Sequence, residues 1–330
     1  MTDRLAWGIL GTGWIATLQT SDLLEHDFSV VAVGSRTQES ADKFAAEYGI
    51  PTAHGSYEDL VADPNVDAIY VATPHPFHEE HALLALNAGK HVLVEKAFTM
   101  NAAQAENVVS RASELNLVVL EAMWTRYLPH MVRIRELVKS GALGTIRSVM
   151  ADHNQNISMD PLHRLNNPLL GGGALLDLGI YPVSFAYDIL GAPTSIVAVA
   201  TKTVTDVDRQ TSMILSYGDE AQAVIQTTLD LRGPTRAVIV GSEGRIEIDE
   251  TWYAPTTYTR FDGDGNVVEK FDGSVTGRGM QFQAAELERL VAAGELANDI
   301  LSPTESVQIM HTLDEVRRQI GLTYPMLDEG

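Results

Sequence analysis

Leu5-Ala6-Trp7-Gly8-Ile9-Leu10-Gly11-Thr12-Gly13-Trp14-Ile15-Ala16 decides the fold. A short apolar run leads into G-x-G-x-x-A, and helical sequence continues to about Leu24. Gly11 permits a tight turn, Gly13 lets a pyrophosphate approach the backbone, and the small Ala16 lets the helix pack closely on the strand. Thr12, Trp14 and Ile15 complete the loop, and the free N–H groups of a helix N-terminus attract phosphate oxygens. The competing reading is a tight turn in some other α/β protein. Strand before, helix after and a start at residue 11 predict dinucleotide binding instead.

The second strand, Phe28 to Val33, ends in Gly34-Ser35-Arg36-Thr37. A site for NAD usually places an acid about 20 residues past the glycines to hold the ribose 2′-hydroxyl. Here the first acid is Glu39, and two hydroxyls flank a guanidinium. Arginine grips a phosphate with two hydrogen bonds, so Ser35, Arg36 and Thr37 predict NADP, with NAD the lesser expectation. An arginine lying along the sheet edge is the bland alternative.

The alternation continues outward. Asp67 to Ala72 reads as a buried strand ending at Thr73-Pro74, and a helix runs from about Phe77 to Ala88. His91-Val92-Leu93-Val94 is a strand that ends in Glu95-Lys96, followed by Ala97. Asn101 caps a further helix, and Leu117 to Leu120 is one more strand. Strands and helices alternating at short spacing predict a doubly wound parallel sheet, a Rossmann domain over residues 1–122. Ligands bind such sheets at the carboxyl ends of the strands, which is where Lys96 falls. Its ammonium could hold a substrate hydroxyl or depress the pKa of a neighbouring acid; a surface lysine capping a strand is the alternative. His75, His78 and His81 have no cysteine to join them, and Pro76 holds His75 extended, so no metal site is expected. His78 is expected to line a nicotinamide pocket or to cap a packed turn.

From Met123 the pattern changes, and residues 123–330 read as an α+β domain. An amphipathic helix from Pro129, a strand from Thr145 to His153 and a polar loop with His163 and Arg164 precede Gly171-Gly172-Gly173-Ala174-Leu175-Leu176-Asp177-Leu178-Gly179-Ile180-Tyr181. Helical apolar spacing from Ala174 to Leu190 would put Asp177 and Tyr181 on one face. A core helix with a hydrogen-bonded tyrosine is the structural alternative. After Gly191 the period becomes two, predicting a large, mostly antiparallel sheet. Apolar residues lie on both registers, Val197, Val199 and Val224 against Ala198, Ala223 and Ile225. The few helices that follow can cover one face, so the open face predicts a homodimer, with a higher oligomer as an alternative.

Whole-chain composition narrows the function. The 330 residues are 45% hydrophobic, enough for two cores. A net charge of −21 argues against nucleic acid or an anionic membrane as partner. No apolar run looks as long as a membrane span, and Met1-Thr2-Asp3-Arg4 shows no signal-peptide pattern. The absence of cysteine fits a cytoplasmic enzyme.

The G-x-G-x-x-A, the Thr73-Pro74 after the fourth strand, Glu95-Lys96 and Asp177-x-x-x-Tyr181 together resemble the Gfo/Idh/MocA oxidoreductase family over nearly the whole chain. Glu121-Ala122-Met123-Trp124-Thr125-Arg126 and the triple glycine resemble its branch of NADP-dependent sugar and dihydrodiol dehydrogenases. Ala97 stands where many members have proline, and Tyr181 where many have histidine. The resemblance implies hydride transfer between a sugar, polyol or cyclic diol and NADP. Tyr181 as phenolate would take the substrate proton, Lys96 would favour that phenolate, and Asp177 would bind a second hydroxyl or hold Lys96. Trp124 would wall the substrate, with Arg126, His153 and Arg164 as further contacts. A non-catalytic NADP sensor, and a lyase or glycosidase using bound nicotinamide transiently, are the other readings.

Overall fold

The apolar runs of the first part of the chain form β1 (Ala6–Leu10), β2 (Ser29–Gly34), β3 (Thr52–His54), β4 (Ala68–Val71), β5 (His91–Glu95) and β6 (Val119–Ala122). In the computed structural model, which describes residues 4–157 and 159–328, they make one six-stranded sheet in the order β3-β2-β1-β4-β5-β6. Met1–Asp3, read above for a leader, and Ser158 of the polar loop lie outside the described residues. Every pairing in the sheet is parallel. The helices are α1 (Trp14–Glu25), α2 (Gln38–Tyr48), α3 (Tyr57–Ala62), α4 (His78–Asn87) and α5 (Ala102–Leu115). Strand order reverses between β1 and β4, the switch point at which such sheets open a crevice for a ligand. The three-residue β3 and six-residue α3 escaped the sequence reading because both are too short to show a period.

The chain divides into two compact units, Met1–Trp124 with Thr276–Val307, and Thr125–Val275 with Gln308–Gly330. The first break falls close to the expected 122/123 boundary, but Thr276–Val307, expected in the second domain, clusters with the first. Burial explains this. Ala284, Leu287 and Leu290 of α8 (Gln281–Ala293) join Trp7, Ile9, Phe28, Val30 and Leu120 in one core. Each large apolar side chain so buried contributes about 1.5–3 kcal/mol.

In the second unit, β7 (Ile146–Asn154), β8 (Ser195–Lys202), β9 (Asp208–Tyr217), β10 (Ala221–Thr228), β11 (Ala237–Gly241), β12 (Gly244–Ile248), β13 (Thr257–Asp262) and β14 (Val267–Asp272) form an eight-stranded sheet. Its order is β14-β13-β12-β11-β7-β10-β9-β8, antiparallel except for the central β7–β10 pair. Helices α6 (Pro129–Lys139) and α7 (Ile180–Leu190) belong to this unit, and α9 (Pro303–Ile320) closes the chain's helical content apart from a last turn at Pro325–Asp328. Helix α7 packs on β7 and β10. On the opposite register Val197, Ile214, Val224 and Met150 are aligned across β8, β9, β10 and β7, and all four are exposed.

Two expectations need correction here. Pro168–Leu190 is in fact long and apolar enough to pass for a membrane span, but 89% of its most apolar window is buried inside the fold. Its helical part from Leu175 onward is core, with Leu175, Leu176, Leu178, Ile180, Val183 and Phe185 all buried. The helix is also not uniformly α: Leu175–Gly179 form a π turn immediately before α7. The step from Asp177 to Tyr181 therefore crosses a π-to-α junction, and the one-face argument from a 3.6-residue period does not transfer to it.

Candidate active site

At the end of β1, Gly11 has φ +108, and a Cβ there would lie 3.1 Å from the carbonyl oxygen of Ala72. Only glycine fits that turn without strain. Gly13 starts α1 with open space where its side chain would be. Helices α2, α3 and α5 begin with the capping side chains of Thr37, Ser56 and Asn101. Helix α1 has no side-chain cap and no acid in its first turn. The amides of Trp14, Ile15 and Ala16 are thus left to an outside acceptor, and no carboxylate repels an anionic one. Trp14 is 71% exposed above this turn. Thr12 and Ser35 are joined through their hydroxyls at 3.2 Å. Arg36 is exposed and makes no ion pair among the described residues. Its charge is felt by Tyr57, whose phenol burial pushes up and Arg36 draws back. These groups fit a dinucleotide with an extra phosphate beside Arg36. Thr37 is a correction: its hydroxyl accepts from Ser40 N and donates to Ser40 Oγ, so it is already engaged as the α2 cap.

At the end of β4, Thr73 Oγ1 lies 3.0 Å from His81 Nδ1, and exposed Pro74 opens a 3₁₀ turn, His75–Phe77. His78 is fully buried, with Nδ1 2.8 Å from the Ala97 carbonyl and Nε2 2.7 Å from the Thr73 carbonyl. Burial pushes its pKa down to about 4, against the pull of those two carbonyls. Of its two expected roles, the structure places His78 as the clamp of a packed turn, because both ring nitrogens face backbone. Among the described residues no group of three or more His, Cys, Asp or Glu side chains could hold a metal ion.

The loop after β5 is held from several sides. Glu95, expected to touch the cofactor, is buried, and its carboxylate takes the Tyr70 phenol and the Lys96 amide. The Lys96–Ala97 peptide bond is cis, although no proline follows. Phe98 N donates to Glu121 Oε1 at 3.1 Å, and Ser306 Oγ donates to Glu121 Oε2 at 2.8 Å. The sequence reading passed over Glu121 because it merely ended a strand. Lys96 itself is half-buried at the carboxyl end of β5. Trp124 is buried, with the Arg278 guanidinium 5.3 Å from its ring centre.

The second unit gathers a different set. Asp177 sits on the π turn, and Arg164 Nη2 reaches its Oδ1 at 3.2 Å. Tyr181, 8% exposed, meets the His153 ring edge-on at 4.9 Å and the Tyr253 ring at 5.1 Å. His153 and Tyr253 stack at 4.0 Å. The Gln155 amide spans them, 2.9 Å from His153 Nε2 and 3.2 Å from the Tyr253 hydroxyl. Trp252, fully buried, donates its indole N–H to the Asp152 carbonyl, and Thr125 Oγ1 donates to the Tyr253 carbonyl, so the Tyr253 loop is anchored on both sides. Asp177, Tyr181, His153 and Arg164 are residues that the sequence singles out, whereas Tyr253 and Gln155 are not. The adjacent aromatics Trp252-Tyr253 in an otherwise polar connection were the available signal.

Arg126 is the clearest reassignment. It is 2% exposed, donates from Nε to Ser184 Oγ at 3.0 Å, and pairs through Nη1 with Asp188 at 2.5 Å. Arg135 holds the other Asp188 oxygen at 3.0 Å. A buried guanidinium must have its charge met, and this one is met by protein, so Arg126 serves α7 and not a substrate.

Residues 5–123 match the family model described as oxidoreductase family, NAD-binding Rossmann fold. Residues 131–247 match the GFO/IDH/MocA C-terminal domain. The chain is 37% identical to D-xylose 1-dehydrogenase (NADP(+)) of Hypocrea jecorina, covering 98% of this chain and 94% of the relative. It is 35% identical to the trans-1,2-dihydrobenzene-1,2-diol dehydrogenase of Xenopus tropicalis, covering 97% and 99%. Among solved structures, aldose-aldose oxidoreductase of Caulobacter crescentus has a TM-score of 0.87 at 26% identity, covering 96% of this chain and 97% of that one. A 3-ketoreductase of Actinomadura kijaniata in complex with NADP has a TM-score of 0.84 at 26% identity, covering 96% and 98%. With both halves matched and identity above a third across full length, this chain belongs to the Gfo/Idh/MocA oxidoreductase family.

Proposed function

We propose that this protein is an NADP-dependent dehydrogenase or reductase acting on a CH–OH group of a sugar, polyol or cyclic diol. The observation that carries this reading is Tyr181, buried against His153 and Tyr253 in a unit that also holds the Asp177–Arg164 pair. Residues 1–122 are the NADP-binding part and 123–330 the substrate-binding and dimerising part, with Thr276–Val307 packed into the first. The uncapped α1 turn takes the pyrophosphate, and Arg36 the 2′-phosphate. NADP supplies the two-electron partner of the reaction when bound.

The chain's own residues handle the proton and the substrate. In the oxidation direction Tyr181 accepts the hydroxyl proton, and in reduction it returns it. Lys96 is a half-buried cation that polarises a substrate oxygen and favours the anionic form of a nearby acid. Arg164 and Asp177 together offer a donor and an acceptor for further hydroxyls, and the Gln155-bridged rings present an aromatic surface to sugar C–H groups. Incubating the protein with aldoses, anhydro-sugars and cyclic diols and following NADPH appearance tests the reading. Net turnover separates it from a sensor and from a lyase that returns its nicotinamide unchanged. Tyr181→Phe should lower kcat by roughly 10²–10⁴-fold with NADPH affinity little changed. A silent Tyr181→Phe in an active protein would leave Tyr181 a packed core residue.

The working form is a homodimer that pairs the open sheet faces. The aligned row Val197, Ile214, Val224 and Met150 supports this, since an exposed apolar band across four strands is costly to leave in water. Light scattering should give twice the monomer mass at micromolar concentration, and Val224→Lys should halve it. A monomer at low and moderate salt would overturn it. The chain works in the cytoplasm, a placement that fits the lack of cysteine and that cell fractionation would check.

A further inference from the structure

Asp208, at the start of β9, is a fully buried carboxylate outside the set described so far. Its Oδ2 accepts from the amide of Leu175 at 2.8 Å and from Thr211 Oγ1 at 2.7 Å. Its Oδ1 has no hydrogen-bond partner and lies over Gly173, where a Cβ would come within 2.1 Å of it. Leu175 opens the π turn that carries Asp177 and leads into Tyr181. The residue preceding that turn, Ala174, supplies no side-chain cap. A helix start needs acceptors for its first amides, and an anion there also meets the positive end of the helix dipole. The triple glycine removes the side chains that would keep a carboxylate from another strand out of this position.

We propose that Asp208 is a positioning residue: reaching from β9, it caps the first turn of the helix that carries Asp177 and Tyr181 and so sets where both side chains stand. This rests on the role given above to Tyr181. Burial pushes the Asp208 pKa up to about 7, against the pull of the Thr211 hydroxyl and the Leu175 amide. The cap is therefore charged above neutrality and loses its charge below it. The other charged or titratable groups on the elements around it are otherwise engaged. Arg209 pairs with Asp230, Arg164 with Asp177, and Lys202, opposite Asp208 on β8, donates to the Gly321 carbonyl. His153 of β7 and Tyr181 of α7 pack against each other.

The test compares wild type, Asp208→Asn, Thr211→Val and Tyr181→Phe over pH 5 to 9, a range of about two units on either side of neutrality, reading kcat, substrate KM, NADPH affinity and the circular dichroism of each. A displaced catalytic group costs about 10–100-fold, so Asp208→Asn should lower kcat by that order at alkaline pH with NADPH affinity unchanged. Its profile should lack the acid-side fall that wild type shows near neutrality. Thr211→Val deletes a donor to the carboxylate, so its acid-side fall should move to higher pH while the protein stays folded. Should Asp208→Asn fail to fold, that displacement in Thr211→Val decides the point alone. Wild-type pH profiles and kinetics in both variants, with Tyr181→Phe inactive, would overturn the role of Asp208 and leave that of Tyr181 standing. A silent Tyr181→Phe would overturn both.

Discussion

At the end of β1 the groups left open are backbone amides, whereas the substrate groups proposed around α7 are side chains drawn from distant parts of the chain. The first set lies within Gly11 to Ala16 and needs only a turn and a helix start. The second comprises the Arg164–Asp177 pair and the group of Tyr181, His153 and Gln155 from β7 and its following loop, and Tyr253 from a connection well beyond the helix, a loop-closure cost that local pattern cannot reveal. Backbone recognition is generic, suited to a cofactor shared by many enzymes. Side-chain recognition is where a substrate is chosen. Capping varies likewise: α2, α3 and α5 spend a side chain on their own N-termini, while α1 and α4 do not, and of these two only α1 has no acid in its first turn.

That contrast can be broken most severely at Lys96, a side chain presented on the backbone-reading unit. Lys96→Met should lower kcat by at least roughly 10²–10⁴-fold, because it removes a proton-handling cation. Tryptophan quenching by NADPH should be nearly unchanged; if cofactor binding collapses instead, Lys96 belongs to the cofactor and the division between the sets is wrong. Next in size is Arg36→Ala. Losing hydrogen bonds to a charged phosphate costs about 1.5–3 kcal/mol, so preference for NADP over NAD should drop by about 10–100-fold. Calorimetry showing equal wild-type affinity for the two cofactors would sink the assignment of Arg36. The smallest effect belongs to Thr37. Its hydroxyl caps α2, so Thr37→Ala should cost about 1 kcal/mol and lower Tm slightly, with cofactor preference retained. A change in NADP affinity larger than the change in stability would return Thr37 to the ligand.

Asp208 adds a pH signature to the second unit. Its folded pKa is raised, so between the ordinary carboxyl value and about 7 the folded protein keeps a proton that the unfolded chain has released. The folded state binds more protons there, and this group's contribution to stability falls as pH rises through that window. Asp208→Asn should therefore flatten the dependence of Tm on pH between about 4 and 7, the window set by those two values.

Periodicity and the glycine motif were enough for the parallel sheet, its glycine turn and the later strands, because each depends on residues close together in the chain. Burial was legible only by type. Arg126 and Glu95 look like ligand-facing charges in sequence, but Asp188 and Ser184 engage one, and the distant Tyr70 together with the adjacent Lys96 amide engages the other. The π turn at Leu175–Gly179 was invisible because a 3.6-residue period tolerates one wide turn. Local sequence thus determined the longer elements and the open amides of the α1 turn. Only the tertiary structure decided which charged groups are consumed by the core and which, such as Arg36, are left free, since that depends on partners the chain brings together by folding.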